Sequence, residues 1–499
     1  MQVLRDYQRK AAIEINDAWA SGQKKVLLNL PTGGGKTSVA AHMIAKAVEE
    51  GMNVMFIAHR KELIEQCSAR LDHQGVPHGI IKSGNKRINR SPVQVASIQT
   101  LINRMRPRPG ELIGHQHIAD LIIIDECHRA MAGTYLEVLK AFPDSKVLGL
   151  TATPYRTDGK GLGDLFDIIV SASSVKELTD LGFLVPYRVF TTPLTPDFSK
   201  IKTKMGEFDK TAVAAAMDTA QLVGDVYAQW AKHGVGRQTV IFASSCEHAK
   251  SIQNIFIEAG VKIGYVDGTT PEEERGRILK DLESGAVSVV VNMGVLTEGW
   301  DCPPVSCVQI ARPTKSLGLY LQMAGRALRP FKDKKNCVII DHGGNTMRHG
   351  LIDEPRDVSL EGDKGREFPP KLTTCFMCNH VHQERKCPEC GHENKKPKPV
   401  VTDDEKKYMS AMQIADGDLE EVDLVKILER RKSEIAFFKD CISTQRDRGY
   451  KTGYAKKMFM DKFGRWPGKE IGIKPIWGSG YTGGPPKGYS FQGIDYMDR

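Results

Sequence analysis

The apolar run Val26-Leu27-Leu28-Asn29-Leu30 passes directly into Pro31-Thr32-Gly33-Gly34-Gly35-Lys36-Thr37. A short buried strand that ends in glycines and continues as a helix leaves few folds open. The turn has to leave the end of a parallel strand, and its glycines let successive backbone N–H groups point inward together. That geometry is a phosphate cradle. Thr32, Gly33, Gly34 and Gly35 would wrap the oxygens, Lys36 would reach the β- and γ-phosphates, and Thr37 would hold Mg²⁺. A helix over Ser38–Glu50 adds the positive end of its dipole to the same place. The strict spacing asks for glycine where Leu30 stands, which keeps a plain glycine turn as the alternative.

The same strand-and-helix rhythm continues on both sides of a break. Val26–Leu30, Val54–Ala58, Val93–Ser97, Leu121–Ile124 and Val147–Leu150 are short apolar runs separated by helix-like stretches such as Lys61–Leu71. Buried parallel strands with helical crossovers read this way. A second series follows at Thr239–Ala243, Ile263–Val266, Val287–Asn292, Val305–Ile310 and Cys337–Asp341, with helices at Glu247–Ala259 and Glu272–Glu283. The fold class is α/β, with one parallel-sheet lobe over 1–175 and another over 185–345. Phe198–His233 reads as a helical insertion and His342–Pro370 as a linker.

A phosphate loop that hydrolyses needs a metal partner and a water activator. The run Leu121–Ile124 ends in Asp125-Glu126-Cys127-His128, and an acid at the tip of a buried parallel strand faces the sheet edge where ligands bind. Asp125 suits Mg²⁺, and Glu126 suits the attacking water.

Pro31–Thr37, Asp125–His128 and Thr151-Ala152-Thr153 together resemble the superfamily 2 helicases and translocases, with a D-E-C-H box. The resemblance implies two RecA-like lobes with ATP between them. Gln322-Met323-Ala324-Gly325-Arg326-Ala327-Leu328-Arg329 looks like the family's Q-x-x-G-R-x-x-R motif, which makes Arg326 and Arg329 arginine fingers. Leu4-Arg5-Asp6-Tyr7-Gln8 resembles the adenine-reading segment, with Arg5 and Gln8 on the nucleotide. Thr297-Glu298-Gly299-Trp300-Asp301 resembles the T-x-G-x-D motif, in which Gly299 and Asp301 help close the lobes and Trp300 packs. His128 would couple hydrolysis to strand movement through a second-lobe contact such as Gln322, with Thr151 and Thr153 linking the two sites. The family's nucleic-acid track falls on His59, Arg60, Gln99 and Thr100 in the first lobe and on Ser244, Thr269 and Thr297 in the second. Grip through sugar-phosphate oxygens needs no base reading.

The chain holds 11 cysteines, and four of them form Cys375-Phe376-Met377-Cys378 and Cys387-Pro388-Glu389-Cys390. Two C-x-x-C knuckles match a four-thiolate structural Zn²⁺ site over 372–394; iron–sulfur ligation is the alternative. His380, His382 and His392 lie close by, but four thiolates complete the shell. Net charge is +9, and between Leu424 and Lys474 there are 14 Lys/Arg against 6 Asp/Glu. The excess reads either as polyanion binding or as a solvated helical face. A helical basic region is expected over 400–475, with an amphipathic helix at Leu419–Ile442, and 476–499 as a flexible tail. No apolar run approaches the roughly 20 residues that a membrane helix needs, and scattered single cysteines fit a reducing cytoplasm.

The two lobes, the zinc module and the basic tail together look most like the RadD-like bacterial or phage branch of the superfamily. The implied function is a nucleic-acid-stimulated, Mg²⁺-dependent ATPase acting on DNA as a helicase, translocase or remodeller, with a replication or repair protein meeting its C-terminal region. An RNA helicase and the motor subunit of a restriction-type nuclease are the rivals; the second is weakened, but not removed, by the lack of a clear Asp…Glu-x-Lys nuclease core outside the lobes.

Overall fold

The computed structural model describes residues 4–85, 91–106, 118–129, 133–156, 159–192, 196, 198, 201–204, 206–362, 372–393, 433–434, 436–445, 447–448 and 454–463. The chain divides into two compact units, Met1–Asn394 and Lys395–Arg499. The first contains two α/β lobes and the cysteine module.

Lobe one is built on a seven-stranded sheet of β1 (Lys25–Asn29), β2 (Val54–Ala58), β3 (His78–Ile81), β4 (Val93–Ser97), β5 (Leu121–Asp125), β6 (Lys146–Thr151) and β7 (Ile168–Ser171). The order is β3-β4-β2-β5-β6-β1-β7, and every ladder is parallel. β2 and β5 are buried at every residue, as expected of central strands covered by helices on both faces. The strand ends that carry the phosphate loop and Asp125 therefore open on the same edge of the sheet.

Lobe two repeats the plan with β8 (Tyr187–Thr191), β11 (Thr239–Ala243), β12 (Ile263–Val266), β13 (Val289–Asn292), β14 (Cys307–Ala311) and β15 (Cys337–Asp341), after a short hairpin of β9 (Thr203–Lys204) and β10 (Glu207–Phe208). The order is β12-β13-β11-β14-β15-β8, again parallel throughout.

Two sequence expectations need correction. The stretch Phe198–His233 contains that hairpin and the helices Lys210–Met217 and Ala220–His233. The second helix is part of lobe two, because Val223, Val226 and Trp230 pack with Ile241 and Phe256 in one apolar core. The segment read as a linker holds the helix Asn345–His349 and then a strap that returns to lobe one. Along the strap, Tyr155 Oη donates to the Asp357 carbonyl at 2.5 Å, Gly163 N–H to the Leu360 carbonyl at 2.9 Å, and Lys160 bridges to Gly362. Arg356 feeds the carbonyls of Leu351 (2.7 Å), Glu354 (3.1 Å) and Ile352 (3.2 Å). The part over 342–362 is thereby held by its own backbone acceptors, and 363–370 lie outside the described residues. The strap and the first crossing between the lobes, 171–177, line one cavity of about 420 Å³ with Leu317, Leu321 and Gly325.

In the second unit, the helix Tyr454–Phe463 and the helical segment 436–445 bury Phe438, Cys441, Ala455 and Phe459 together. Phe438 and Phe459 meet edge to face at 5.5 Å. The first part of the expected helix Leu419–Ile442 and the tail 476–499 lie outside the described residues. Among the described residues no helix is long and apolar enough to cross a membrane.

Candidate nucleotide cleft and cysteine module

The turn after β1 places Gly33 and Gly35 at φ +86° and +88°, where any Cβ would be strained. Gly35 caps the helix Lys36–Glu49. Leu30, at the place where glycine was expected, is fully buried. A Cβ on Gly34 would lie 2.8 Å from its side chain, and its carbonyl accepts from Lys36 Nζ at 3.3 Å. The leucine fills core beneath the loop while its backbone holds the lysine. Tyr7 Oη and Gln8 Nε2 both donate to the Gly34 carbonyl, at 2.7 and 2.9 Å, and Gln8 Oε1 accepts from Arg5 N–H at 3.1 Å. Gln8 thus braces the loop as well as lining the cleft. The Arg5 guanidinium lies over the Phe183 ring at 4.2 Å, a residue the sequence reading missed because it sits in the crossing between lobes.

A cleft of about 940 Å³ joins the lobes. One wall holds Thr32, Gly33, Gly35, Lys36, Thr37, Asp125 and Glu126, and the other Gly299, Trp300, Asp301, Arg326 and Arg329. Asp125 Oδ1 accepts from Glu126 N–H at 3.0 Å, and Glu126 turns left-handed at φ +50°. Burial, reinforced by the charge of Glu126, pushes the Asp125 carboxyl up to about 7. Burial also works to raise Glu126, but Lys36 and His128 outweigh it and hold that carboxyl below its ordinary value.

Arg326 is buried and donates through Nε to the Thr297 carbonyl at 3.2 Å, and burial, with Arg329 nearby, lowers it to about 10. Arg329 pairs with Asp301, and Gly299 turns at φ +73°. Gln322 is buried in the helix Leu317–Gly325. That helix lies against lobe one through two glycines. A Cβ on Gly318 would stand 2.9 Å from Thr153 Oγ1, and one on Gly325 2.8 Å from Thr32 Cβ.

His128 does meet the second lobe, but its partner is Glu298 rather than Gln322. Its Nε2 is 3.7 Å from Glu298 Oε1 and its Nδ1 3.4 Å from Glu126 Oε2. Thr151 Oγ1 is 3.4 Å from the same Nδ1 and donates to the Thr153 carbonyl. Glu298 is the functional candidate that the sequence reading passed over. The available signal was its position inside Thr297-Glu298-Gly299, as an acid set between residues already singled out.

The expected track residues fall into two settings. His59 Nε2 is 3.0 Å from Glu298 Oε2, and Arg60 Nη1 donates to the Val295 carbonyl at 2.9 Å, so both sit at the seam between lobes. Thr297 is buried beside Arg326. Gln99 accepts from Ser97 Oγ, with Thr100 next to it on the helix Ile98–Met105. Ser244 bonds His248 Nδ1 at 2.7 Å, and Thr269 bonds Asp267. These four lie past the C-terminal ends of β4, β11 and β12.

The sulfurs of Cys375, Cys378, Cys387 and Cys390 all lie within 4.8 Å of one another. Cys375 and Cys390 are 3.5 Å apart and Cys378 and Cys387 3.6 Å. Four Zn–S bonds of about 2.3 Å give a tetrahedral edge of about 3.8 Å, so the donor set fits that ion. Each knuckle turns through one left-handed residue, Asn379 (φ +61°) and Gly391 (φ +73°). The module's β16 (Thr373–Thr374) and β17 (Val381–His382) form a hairpin that continues lobe two's edge. Phe190 in β8 bridges to His380, Thr191 N–H donates to the Asn379 carbonyl at 2.9 Å, and Arg188 pairs with Glu389 at 2.6 Å.

A phosphate loop and an Asp-Glu pair on one parallel-sheet lobe, facing two arginines on a second, define a bilobal ATPase motor. Residues 2–156 match the family model "Type III restriction enzyme, res subunit", and residues 220–330 the "Helicase conserved C-terminal domain". The chain is 31% identical over 374 residues to a 51.5 kDa protein of Lactococcus phage (isolate 7-9), covering 74% of this chain and 78% of that one. It is 30% identical over 380 residues to a Saccharomyces cerevisiae protein described as ATP-dependent helicase IRC3, covering 72% of this chain and 54% of that one. A fragment of an HsdR subunit of a type I restriction enzyme from Vibrio vulnificus YJ016 shares the fold, with TM-score 0.54 and 23% identity over 71% of this chain and 68% of that one. The chain belongs to the superfamily 2 helicases, as an ATP-hydrolysing helicase or translocase of two RecA-like lobes. It spans about half the length of the yeast relative.

Proposed function

We propose that the chain is a Mg²⁺-dependent ATPase, stimulated by DNA, that translocates along or remodels a duplex. The observation that carries this reading is the shared cleft, in which Lys36, Asp125 and Glu126 of one lobe face Arg326 and Arg329 of the other. Charge on the transferring phosphoryl group is stabilised by such cations, so hydrolysis requires the lobes to be together. Lys36 would hold the β- and γ-phosphates, Glu126 the attacking water, and Arg326 and Arg329 the γ-phosphate. Thr37 and Asp125 offer the hydroxyl and carboxylate that Mg²⁺ takes alongside phosphate oxygens. A cation there would also offset the burial that pushes Asp125 upward. The four thiolates are read as a structural Zn²⁺ site. DNA is favoured over RNA because one matched family model is that of a restriction enzyme subunit and a relative 25% identical is described as a DNA 3'-5' translocase; membership of the RadD-like branch rests on the D-E-C-H box, the Val295–Asp301 run and the C-x-x-C pairs, and a repair or replication partner on the C-terminal region.

The test is ATP hydrolysis with no nucleic acid, single-stranded DNA, duplex DNA or RNA, alongside Lys36→Ala and Glu126→Gln. Loss of about 100-fold or more in both variants is expected; unchanged hydrolysis in both would sink the site assignment. Stimulation by RNA alone would move the function to an RNA helicase. The likeness to restriction subunits favours one second reading, a nuclease-complex motor, which requires a partner subunit to supply cleavage.

A further inference from the structure

Glu298 lies on the second-lobe loop 293–301 with its side chain 2% exposed. Three groups of the first lobe converge on its carboxylate. His59 Nε2 stands 3.0 Å and Arg60 Nε 3.5 Å from Oε2, while His128 Nε2 stands 3.7 Å from Oε1. A buried carboxylate is costly unless it is paired, and here these partners belong to the opposite lobe. Beyond His128 comes Glu126, 3.4 Å from Nδ1. Two carboxylates and two imidazoles therefore alternate, Glu126, His128, Glu298, His59, from the hydrolytic pair to the end of β2. At the far end, His59 Nδ1 is buried and has no hydrogen-bond partner among the described residues.

We infer that Glu298 is the second lobe's positioning residue for hydrolysis. It holds His128, and through His128 the carboxylate of Glu126, in an arrangement that depends on where His59 and Arg60 stand. Arg60 is shared between Glu298 and the carbonyls of Gly294 and Val295. A phosphodiester backbone that draws Arg60 outward removes a cation from Glu298 and changes what faces His128 Nε2. Nucleic acid then reaches the water-activating carboxylate through three side chains, Arg60, Glu298 and His128, with no movement of the sheets. Gln322, which is neutral, cannot take this place, because the link works by charge compensation. The inference rests on the reading of the cleft as a nucleic-acid-stimulated ATPase.

The test is steady-state ATP hydrolysis by the full chain with and without a single-stranded DNA oligonucleotide, in wild type, Glu298→Gln, His128→Ala and the double variant. Glu298→Gln keeps size and one acceptor but removes the charge. It should lower the ratio of DNA-stimulated to unstimulated kcat by about fivefold or more, with KM for ATP held within about twofold. The double variant should lose no more than His128→Ala alone. Losses that multiply, or a Glu298→Gln effect confined to KM, would overturn the inference. If wild type is stimulated by no nucleic acid, the functional reading fails by itself, and the double-mutant cycle on unstimulated kcat decides the role of Glu298 in the same way. If Glu298→Gln does not fold, His59→Gln leaves the carboxylate in place and should lower the stimulation ratio; an unchanged ratio would overturn the inference.

Discussion

His128 and Glu298 belong to different lobes and face each other at 3.7 Å, while the other ring nitrogen of His128 lies 3.4 Å from Glu126. One imidazole thus stands between the carboxylate that suits the attacking water and a carboxylate that exists at this place only when the lobes are together. The chemistry and the closure of the cleft share a side chain.

The helix Leu317–Gly325 makes a separable test of closure. Gly318→Ala and Gly325→Ala should favour the helix itself by up to about 1 kcal/mol. Each new methyl must, however, enter space held by Thr153 or Thr32 on the other lobe. The expected outcome is a melting temperature that holds or rises, with ATP turnover down about tenfold or more. Turnover at the wild-type level in both variants would show that the two glycine contacts do not set the working cleft.

Phe183 supplies a flat apolar face beneath Arg5 at the edge of the cleft. Phe183→Leu removes the ring and a cation–π contact worth about 0.5–2 kcal/mol. KM for ATP should rise about three- to tenfold with kcat little changed. A fall in kcat at constant KM would mean that the ring acts on hydrolysis instead.

The cysteine module should carry one zinc per chain, measured by elemental analysis, and Cys387→Ser should lose it. The loss should be felt in lobe two, because the knuckles hold the edge strand β8 through Phe190, Thr191 and Arg188. Hydrogen exchange at 187–191 should speed up before that of the central strand β11. Four freely titrated thiols in the native chain would refute the site.

Acid should loosen lobe two through His248. Burial, with Asp218 opposing and His342 assisting, lowers its imidazole from 6.5 to about 4. As pH falls below about 6.5 the unfolded chain takes up this proton while the folded one does not, so stability declines with falling pH until about 4 and is flat above 6.5. Melting temperature against pH, compared between wild type and His248→Asn, isolates the effect from protonation of the cysteines. Parallel curves would exclude it.

Much of the fold was legible in the sequence for a plain reason. Strands such as β2 and β5, buried along their whole length, must be apolar throughout, and they surface as runs that stop at a turn. The edge strands β3, β7 and β8 escaped because each is interrupted: β3 by His78, which is polar although buried, and β7 and β8 by Ser171 and Arg188, which are less shielded. In the cleft, Lys36, Asp125 and Glu126 stand out by residue type and position after a strand, whereas Arg326 and Arg329 came from the resemblance to the Q-x-x-G-R-x-x-R motif; all five line one cleft. Glu298 and Phe183 did not stand out, because their surroundings come from chain more than 100 residues away. Leu30 shows the reverse case, a departure from pattern whose reason is the packing over Gly34.

The strap over 351–362 gives the molecule a spine. Two bodies joined by one flexible segment can swivel about it in any sense, but among the described residues two segments, 171–177 and 352–358, border one cavity between these lobes. Paired segments at one place oppose twisting of one lobe against the other more than they oppose hinging, and the cleft they border on faces Lys36 on one side and Arg326 on the other. If nucleotide binding and release open and close this cleft, the paired segments bias that change towards hinging and away from rotation of one lobe upon the other.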